Sequence, residues 1–188
     1  MPDTPAIAPP PRLVPARMDL HGAALLALNT EYLTWVFAAM ARHFGALPAA
    51  LTEQPVSAYA AEMLDKVCAD VPPAGCFYLL ERPETGGEPA RFVGMGGLRR
   101  LNAHRAELKR LYLRPDARGQ GLGAGLLARL IDDARAFGYH ELCLDSAPFM
   151  HEAQALYRRH GFEDAPAYAG TEVPGPLQAQ WRFMQRAL

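Results

Sequence analysis

Apolar positions recur at helical spacing in two early stretches and at strand spacing in several later ones. Over residues 19–40, Leu25, Leu26, Leu28, Leu33, Val36 and Phe37 supply the apolar side of a long helix. Asp19 stands where an N-cap belongs, and Gly45 and Pro48 punctuate the end. A second helix fits 56–69, with Ala60, Met63, Leu64 and Val67 on one side and Pro72 and Pro73 stopping it. The period then changes. Residues 12–17 predict a short first strand, weakened by Pro15. Residues 76–81 (C-F-Y-L-L-E) are an apolar run of strand length, and 84–89 (E-T-G-G-E-P) a turn. The next strand, 91–98, carries Gly94, Gly96 and Gly97, which predict a bulge or a close approach. A fourth strand covers 107–113 and ends at Pro115.

The clearest helix follows. Leu122, Leu126, Leu130 and Ala134 recur every fourth residue, Leu127, Ile131 and Phe137 widen the stripe, and Gly138 is a good C′ residue. Residues 141–145 (E-L-C-L-D) form a fifth strand, parallel to 107–113 through a crossover. A helix at 152–160 closes on Gly161, 162–176 is loop-rich, and 180–185 is a final strand. No internal repeat is visible.

Composition narrows the class. The 188 residues carry a formal net charge of -1, which gives no electrostatic case for nucleic acid or an anionic membrane as partner. Half the residues are hydrophobic, enough for a substantial core. Residues 1–11 hold five prolines and read as an extended tail, leaving 12–188 as one domain that is monomeric or homodimeric. No uncharged apolar run approaches membrane-spanning length, and the N-terminus lacks the basic and apolar regions of a secretion signal. Cys68, Cys76 and Cys143 are odd in number and form no CxxC pair, so they read as reduced thiols in a cytoplasmic protein. The six histidines lack HxxxH or HExxH spacing, and no metal is expected.

The chemistry concentrates in one loop. Glycines at 119, 121, 123 and 125 follow a strand and open a helix. Such a loop lets backbone N–H groups approach an anion, and the helix N-terminus favours negative charge there. Arg114 and Arg118 add cations, so diphosphate is the natural guest. A P-loop would need G-K-[ST], which is absent. The relaxed nicotinamide-dinucleotide fingerprint is met by Gly119, Gly121 and Ala124, with Asp145 as the acidic residue. Against it, R-P-D-A-R separates Leu113 from the first glycine, and antiparallel strands precede it. The third grammar, [QR]-x-x-G-x-[GA], is given by Arg118, Gly121 and Gly123.

With R-P-D-A-R-G-Q-G-L-G at 114–123, and with Ala153, Leu156, Tyr157, Gly161 and Phe162 matching A-x-x-L-Y-x-x-x-G-F, the chain resembles the GNAT superfamily of N-acetyltransferases. The resemblance implies an α/β (α+β) GNAT fold. Its central sheet is mixed, mostly antiparallel, flanked by helices and splayed between the fourth and fifth strands. It implies acetyl-CoA as co-substrate and an amine acceptor, small molecule or peptide, attacking directly in a ternary complex. Carried over residue by residue, Leu111, Tyr112 and Leu113 pair with the pantothenate arm. Arg118, Gly119, Gln120, Gly121, Leu122, Gly123 and Ala124 hold the pyrophosphate. Tyr157 is the acid to the coenzyme sulfur, and Glu107, or a water relay, is the base. The family's Asn ahead of the tyrosine is replaced by Met150. The acceptor region holds Glu31, Tyr32, Trp35, Tyr59, Glu62 and Tyr168. A non-catalytic acyl-CoA-binding or regulatory module, and less so a dinucleotide-binding protein, are the alternatives.

Overall fold

The structure, a computed structural model, describes residues 10–45, 53–84, 87 and 89–188. The proline-rich tail through residue 9, Pro48, and residues 85, 86 and 88 of the expected turn lie outside the described residues. Seven strands form one sheet: β1 (Arg12–Pro15), β2 (Cys76–Arg82), β3 (Arg91–Arg100), β4 (Arg105–Leu113), β5 (Glu141–Ser146), β6 (Glu163–Ala165) and β7 (Arg182–Ala187). Their spatial order is β1-β2-β3-β4-β5-β7-β6. Every pairing is antiparallel except β4 with β5. That is the GNAT fold, a mixed and mostly antiparallel sheet with helices.

The helices are α1 (Met18–Phe44), α2 (Val56–Val67), α3 (Leu122–Ala136), α4 (His151–Arg159) and the short α5 (Gly175–Gln178). The α3 stripe packs as its period requires. Leu126, Leu127, Leu130, Ile131 and Ala134 are buried against Leu98, Ala106, Leu108, Leu142 and Leu144 of the sheet. On α1, Leu25 and Leu28 cover Phe77, Leu79 and Met95, while Leu33, Val36, Phe37 and Met40 meet Ala60 of α2. By length and composition alone α1 could cross a membrane, its best window having a mean hydropathy of 1.2. In this fold the apolar character serves contacts to α2 and β3. Its buried Asn29 is satisfied by donating to the Leu25 carbonyl at 2.9 Å.

Several boundaries differ from expectation for local reasons. Asp19 does not cap α1; Arg17 is the N-cap residue, and its N–H donates to His21 Nδ1 at 3.0 Å. Asp19 instead sits in the first turn, where its charge suits the helix dipole, paired with Arg17. The helix runs on to Phe44, and Gly45 at φ 80° closes it. α2 stops at Val67, two residues early. The loop-rich stretch contains β6, and β7 begins at Arg182 rather than 180, where its pairing with β5 starts; β6 pairs with it from Phe183.

Candidate active site

Two irregularities open the sheet beside β4. The first is a bulge. Met95 faces Tyr112 and Gly97 faces Lys109, so two steps along β3 span three along β4. The extra residue lies at Arg110, whose φ of 56° is the sole positive value among described non-glycine residues. A long side chain pays strain of order 1–3 kcal/mol there, which persists only where surrounding contacts hold it. The bulge also leaves backbone groups of β4 without ladder partners. The second irregularity is a short parallel pairing. β4 and β5 pair only at Arg105–Glu141, Ala106–Leu142 and Glu107–Cys143. Beyond Glu107 they diverge, which leaves Leu108 to Leu113 with a free edge facing α4.

A cavity of about 800 Å³ occupies that opening. Its walls include Leu111, Tyr112 and Leu113 of β4, the loop residues Arg118, Gly119, Gly121, Leu122, Gly123 and Ala124, and Leu156 and Tyr157 of α4. All the residues expected to touch the coenzyme thus line one cavity except Gln120. Its amide turns away and donates to the Asp116 carbonyl at 3.0 Å. Gly121 is the N-cap of α3 at φ 76°, and Gly119 has φ 73°. The first bond of α3 runs from Gly125 N–H to the Gly121 carbonyl, so the amides of Leu122, Gly123 and Ala124 have no partner within the helix. A Cβ placed on Gly119 or Gly121 meets nothing within 4 Å; the backbone conformation, not crowding, demands glycine at both.

The loop arginines do less for an anion than their charge suggested. Arg114 is spent on Glu31, with Nε and Nη2 donating to its carboxylate at 2.9 and 2.6 Å. Arg118 donates from Nε to the Leu113 carbonyl at 3.0 Å and lies over the rings of Trp35 and Tyr112 at 5.9 Å. It therefore closes the loop onto the end of β4. Met150 lines the cavity as N-cap of α4, with no side-chain cap bond.

Tyr157 is buried in the cavity wall, its ring 5.9 Å from that of Phe162. Burial pushes its phenol well above the ordinary value, and the nearby Tyr32 and Asp145 push the same way. Glu107 is fully buried and lines neither this cavity nor the next. Arg99 holds its Oε2 at 2.5 Å, Tyr168 donates to its Oε1 at 2.7 Å, and the Lys109 ammonium lies 3.6 Å away. Burial raises its pKa, opposed mainly by Lys109 and the Tyr168 hydrogen bond.

On the other side of the opening lies a cavity of about 170 Å³. Val36, Phe37, Met40, Tyr59 and Trp181 give it an aromatic and aliphatic wall; Lys109 and Glu172 give it charge. Tyr32, Leu108, Arg110 and Asp145 line both cavities and mark their junction. Asp145 accepts from Trp181 Nε1 at 3.0 Å and from the Tyr168 hydroxyl at 3.4 Å. Tyr168 thereby bridges Asp145 to Glu107. Trp35 lines the larger cavity only, and Glu62 lines neither, bonding to Gln54 at 2.9 Å. Arg110, Glu172 and Trp181 were not legible as site residues, and Asp145 entered only as the acidic residue of the dinucleotide fingerprint. No local motif marks them, because the β4 bulge and the turn of chain after β6 bring them together.

A family model described as the acetyltransferase (GNAT) family matches residues 43–162. The chain is 33% identical over 137 residues to the IAA acetyltransferase of Azospirillum brasilense, covering 68% of this chain and 87% of that one. A Klebsiella pneumoniae structure provisionally named an acyl-CoA N-acyltransferase superposes with a TM-score of 0.66 at 26% identity, covering 95% and 97% of the two chains. The PaiA N-acetyltransferase of Thermoplasma acidophilum, solved with coenzyme A, has the same fold at a TM-score of 0.64 and 15% identity, covering 95% and 99%.

Proposed function

Since the chain belongs to the GNAT family of acetyltransferases, enzymes that transfer an acyl group from acyl-CoA, we propose that it moves an acetyl group from acetyl-CoA to a primary amine by direct attack in a ternary complex. The observation that carries this reading is the meeting of two cavities through the β4–β5 opening, with Tyr157 in the wall of the larger. Acetyl-CoA takes the larger cavity. Its pyrophosphate rests on the free amides at the start of α3, and its pantetheine arm runs along the unpaired edge of Leu111 to Leu113. The thioester then arrives at the junction, and the acceptor amine enters from the smaller cavity.

The neutral amine attacks the thioester carbonyl. Negative charge developing on that oxygen is stabilised by a backbone N–H freed at the Arg110 bulge. Asp145, the carboxylate at the junction, takes the amine proton. Tyr168 can pass a proton on to Glu107, whose raised pKa suits it to receive one. Glu107, which the resemblance implied as the base alongside a water relay, thus acts at the far end of a relay rather than on the substrate. The C–S bond breaks as the amide forms. Tyr157, kept protonated by burial, donates to the departing thiolate.

Two measurements test the reading. Acetyl-CoA at about 100 times its Kd should stabilise the fold by about 2.7 kcal/mol, while NAD should give no protection. Tyr157→Phe should bind acetyl-CoA normally and lose turnover by roughly 10²-fold or more. Unchanged turnover removes Tyr157 from the mechanism, and protection by NAD alone removes the acetyltransferase reading.

A further inference from the structure

Charge pairing around the junction is uneven. Glu107 is held by Arg99 and Lys109, and Glu172 by the same two cations, at 3.1 Å from Arg99 Nη1 and 2.7 Å from Lys109 Nζ. Asp145 is different: its partners, Trp181 and Tyr168, are neutral donors. Arg110 is different in the opposite sense. Its guanidinium lies 5.4 Å from the ring centre of Tyr32, yet it forms no ion pair among the described residues, and its buried Nε has no hydrogen-bond partner among them. A buried guanidinium N–H without an acceptor is costly, and its strained backbone adds to that cost. A strained, unpaired cation and an uncompensated carboxylate thus face the same junction, backed by an apolar wall in the smaller cavity.

We propose that the acceptor is a free α-amino acid with an apolar side chain, its carboxylate held by Arg110 and its amino group placed against Asp145. The inference deepens the acetyltransferase reading and rests on it. Arginine suits a planar carboxylate because its N–H groups match the two oxygens. An α-amino acid carries its two charged groups on one carbon, so it can span two opposite charges that do not pair with each other. The side chain then enters the wall formed by Val36, Phe37, Met40, Tyr59 and Trp181. The cavity of about 170 Å³ admits a leucine-, methionine- or phenylalanine-sized group. A peptide N-terminus lacks the free carboxylate and would leave Arg110 unpaired.

The test is a thiol-release assay on the full chain with matched acceptors: L-leucine, leucinamide and isoamylamine, and L-phenylalanine, phenylalaninamide and phenethylamine. Rates are compared per mole of neutral amine, because the amides ionise at lower pH. The acids should exceed their amides and amines in kcat/KM by roughly ten- to hundredfold, the worth of a charge-assisted pair. Arg110→Gln should raise KM for the acids and bring acids and amides within about threefold of each other. Amides or amines used as well as acids, or no release with any acceptor while acetyl-CoA still binds, overturns the inference and leaves the acetyltransferase reading standing. If Arg110→Gln weakens acetyl-CoA binding and spares the preference for acids, the guanidinium serves the coenzyme and the inference is again wrong. Absence of acetyl-CoA binding by the wild-type chain is the separate result that overturns the parent reading.

Discussion

Tyr168→Phe isolates the proposed relay with the removal of one oxygen. The ring stays packed against Phe183, at 5.7 Å between centroids, so the core loses no hydrocarbon. What disappears is a 2.7 Å hydrogen bond to the fully buried Glu107 and a 3.4 Å contact to Asp145. Hydrogen bonds to charged groups are worth about 1.5–3 kcal/mol. Glu107 keeps Arg99 and Lys109, so it is not orphaned, and the lower part of that range applies. For a chain of this size about 1.5–2 kcal/mol corresponds to a Tm loss of roughly 3–8 °C. The pH dependence carries the sharper information. Glu107 already holds its proton more tightly than an ordinary glutamate because of burial, and the Tyr168 bond opposes that rise. Removing the bond leaves burial less opposed, so the carboxylate forms only at higher pH. If Glu107 must be ionised to receive the relayed proton, the acid limb of kcat/KM moves upward. The maximal rate should fall by roughly 10²-fold as the link is cut. Initial rates from about pH 5 to 9, with thermal melts in the same buffers, measure both. A lower Tm with an unmoved acid limb and a normal rate would refute the relay and leave Tyr168 a structural residue.

Further expectations follow from the same geometry. Gly121→Ala forces a Cβ into φ 76°, at a cost of about 1–2 kcal/mol, and should weaken acetyl-CoA binding by roughly tenfold in calorimetry as the loop relaxes away from that conformation. Arg114→Ala should change acetyl-CoA affinity by less than about threefold, because its charge already serves the partly exposed Glu31; salt-dependent weakening would show that the phosphates use it instead. The thiols of Cys76 and Cys143, pushed up to about 12 by burial, should resist labelling in the native protein at about pH 8 and react after denaturation. Rapid native labelling of either would contradict their burial, and would also add background to thiol-release assays. Stability should carry a trace of Glu107 as well. Its folded pKa is raised from 4.5, so its contribution is full below that value and is lost as pH rises through the folded one. Glu107→Gln should flatten that part of the stability curve in pH-dependent melts.

The elements whose cause is local were readable from the chain. The α3 stripe, the glycines at 119 and 121, the Gly138 and Gly161 closures, and the alternation of strand and helix from 105 onward all depend on neighbours a few residues away. The larger cavity inherits that legibility, since most of its wall is two contiguous segments, 108–124 and 149–159. Where capping competes, local signals failed: Asp19 resembles an N-cap, but the His21 ring satisfies the Arg17 amide first.

The smaller cavity was decided elsewhere. Its wall draws on α1, α2, β4, β5 and the chain between β6 and β7, so no window of sequence contains it. Glu107 has a strand position that suits a base, yet whether it meets solvent or an internal network depends on Tyr168, 61 residues away. Arg110 reads as an ordinary strand residue. Only the register slip between β3 and β4 turns its backbone to φ 56° and sets its guanidinium at the junction with no ion-pair partner among the described residues. Sequence determined the glycine loop and helix start on which the proposed diphosphate cradle rests, because such a cradle is made of consecutive amides. Tertiary structure decided which charges meet at the junction of the two cavities, because charge balance in a cavity is a sum over side chains that meet only when the sheet opens.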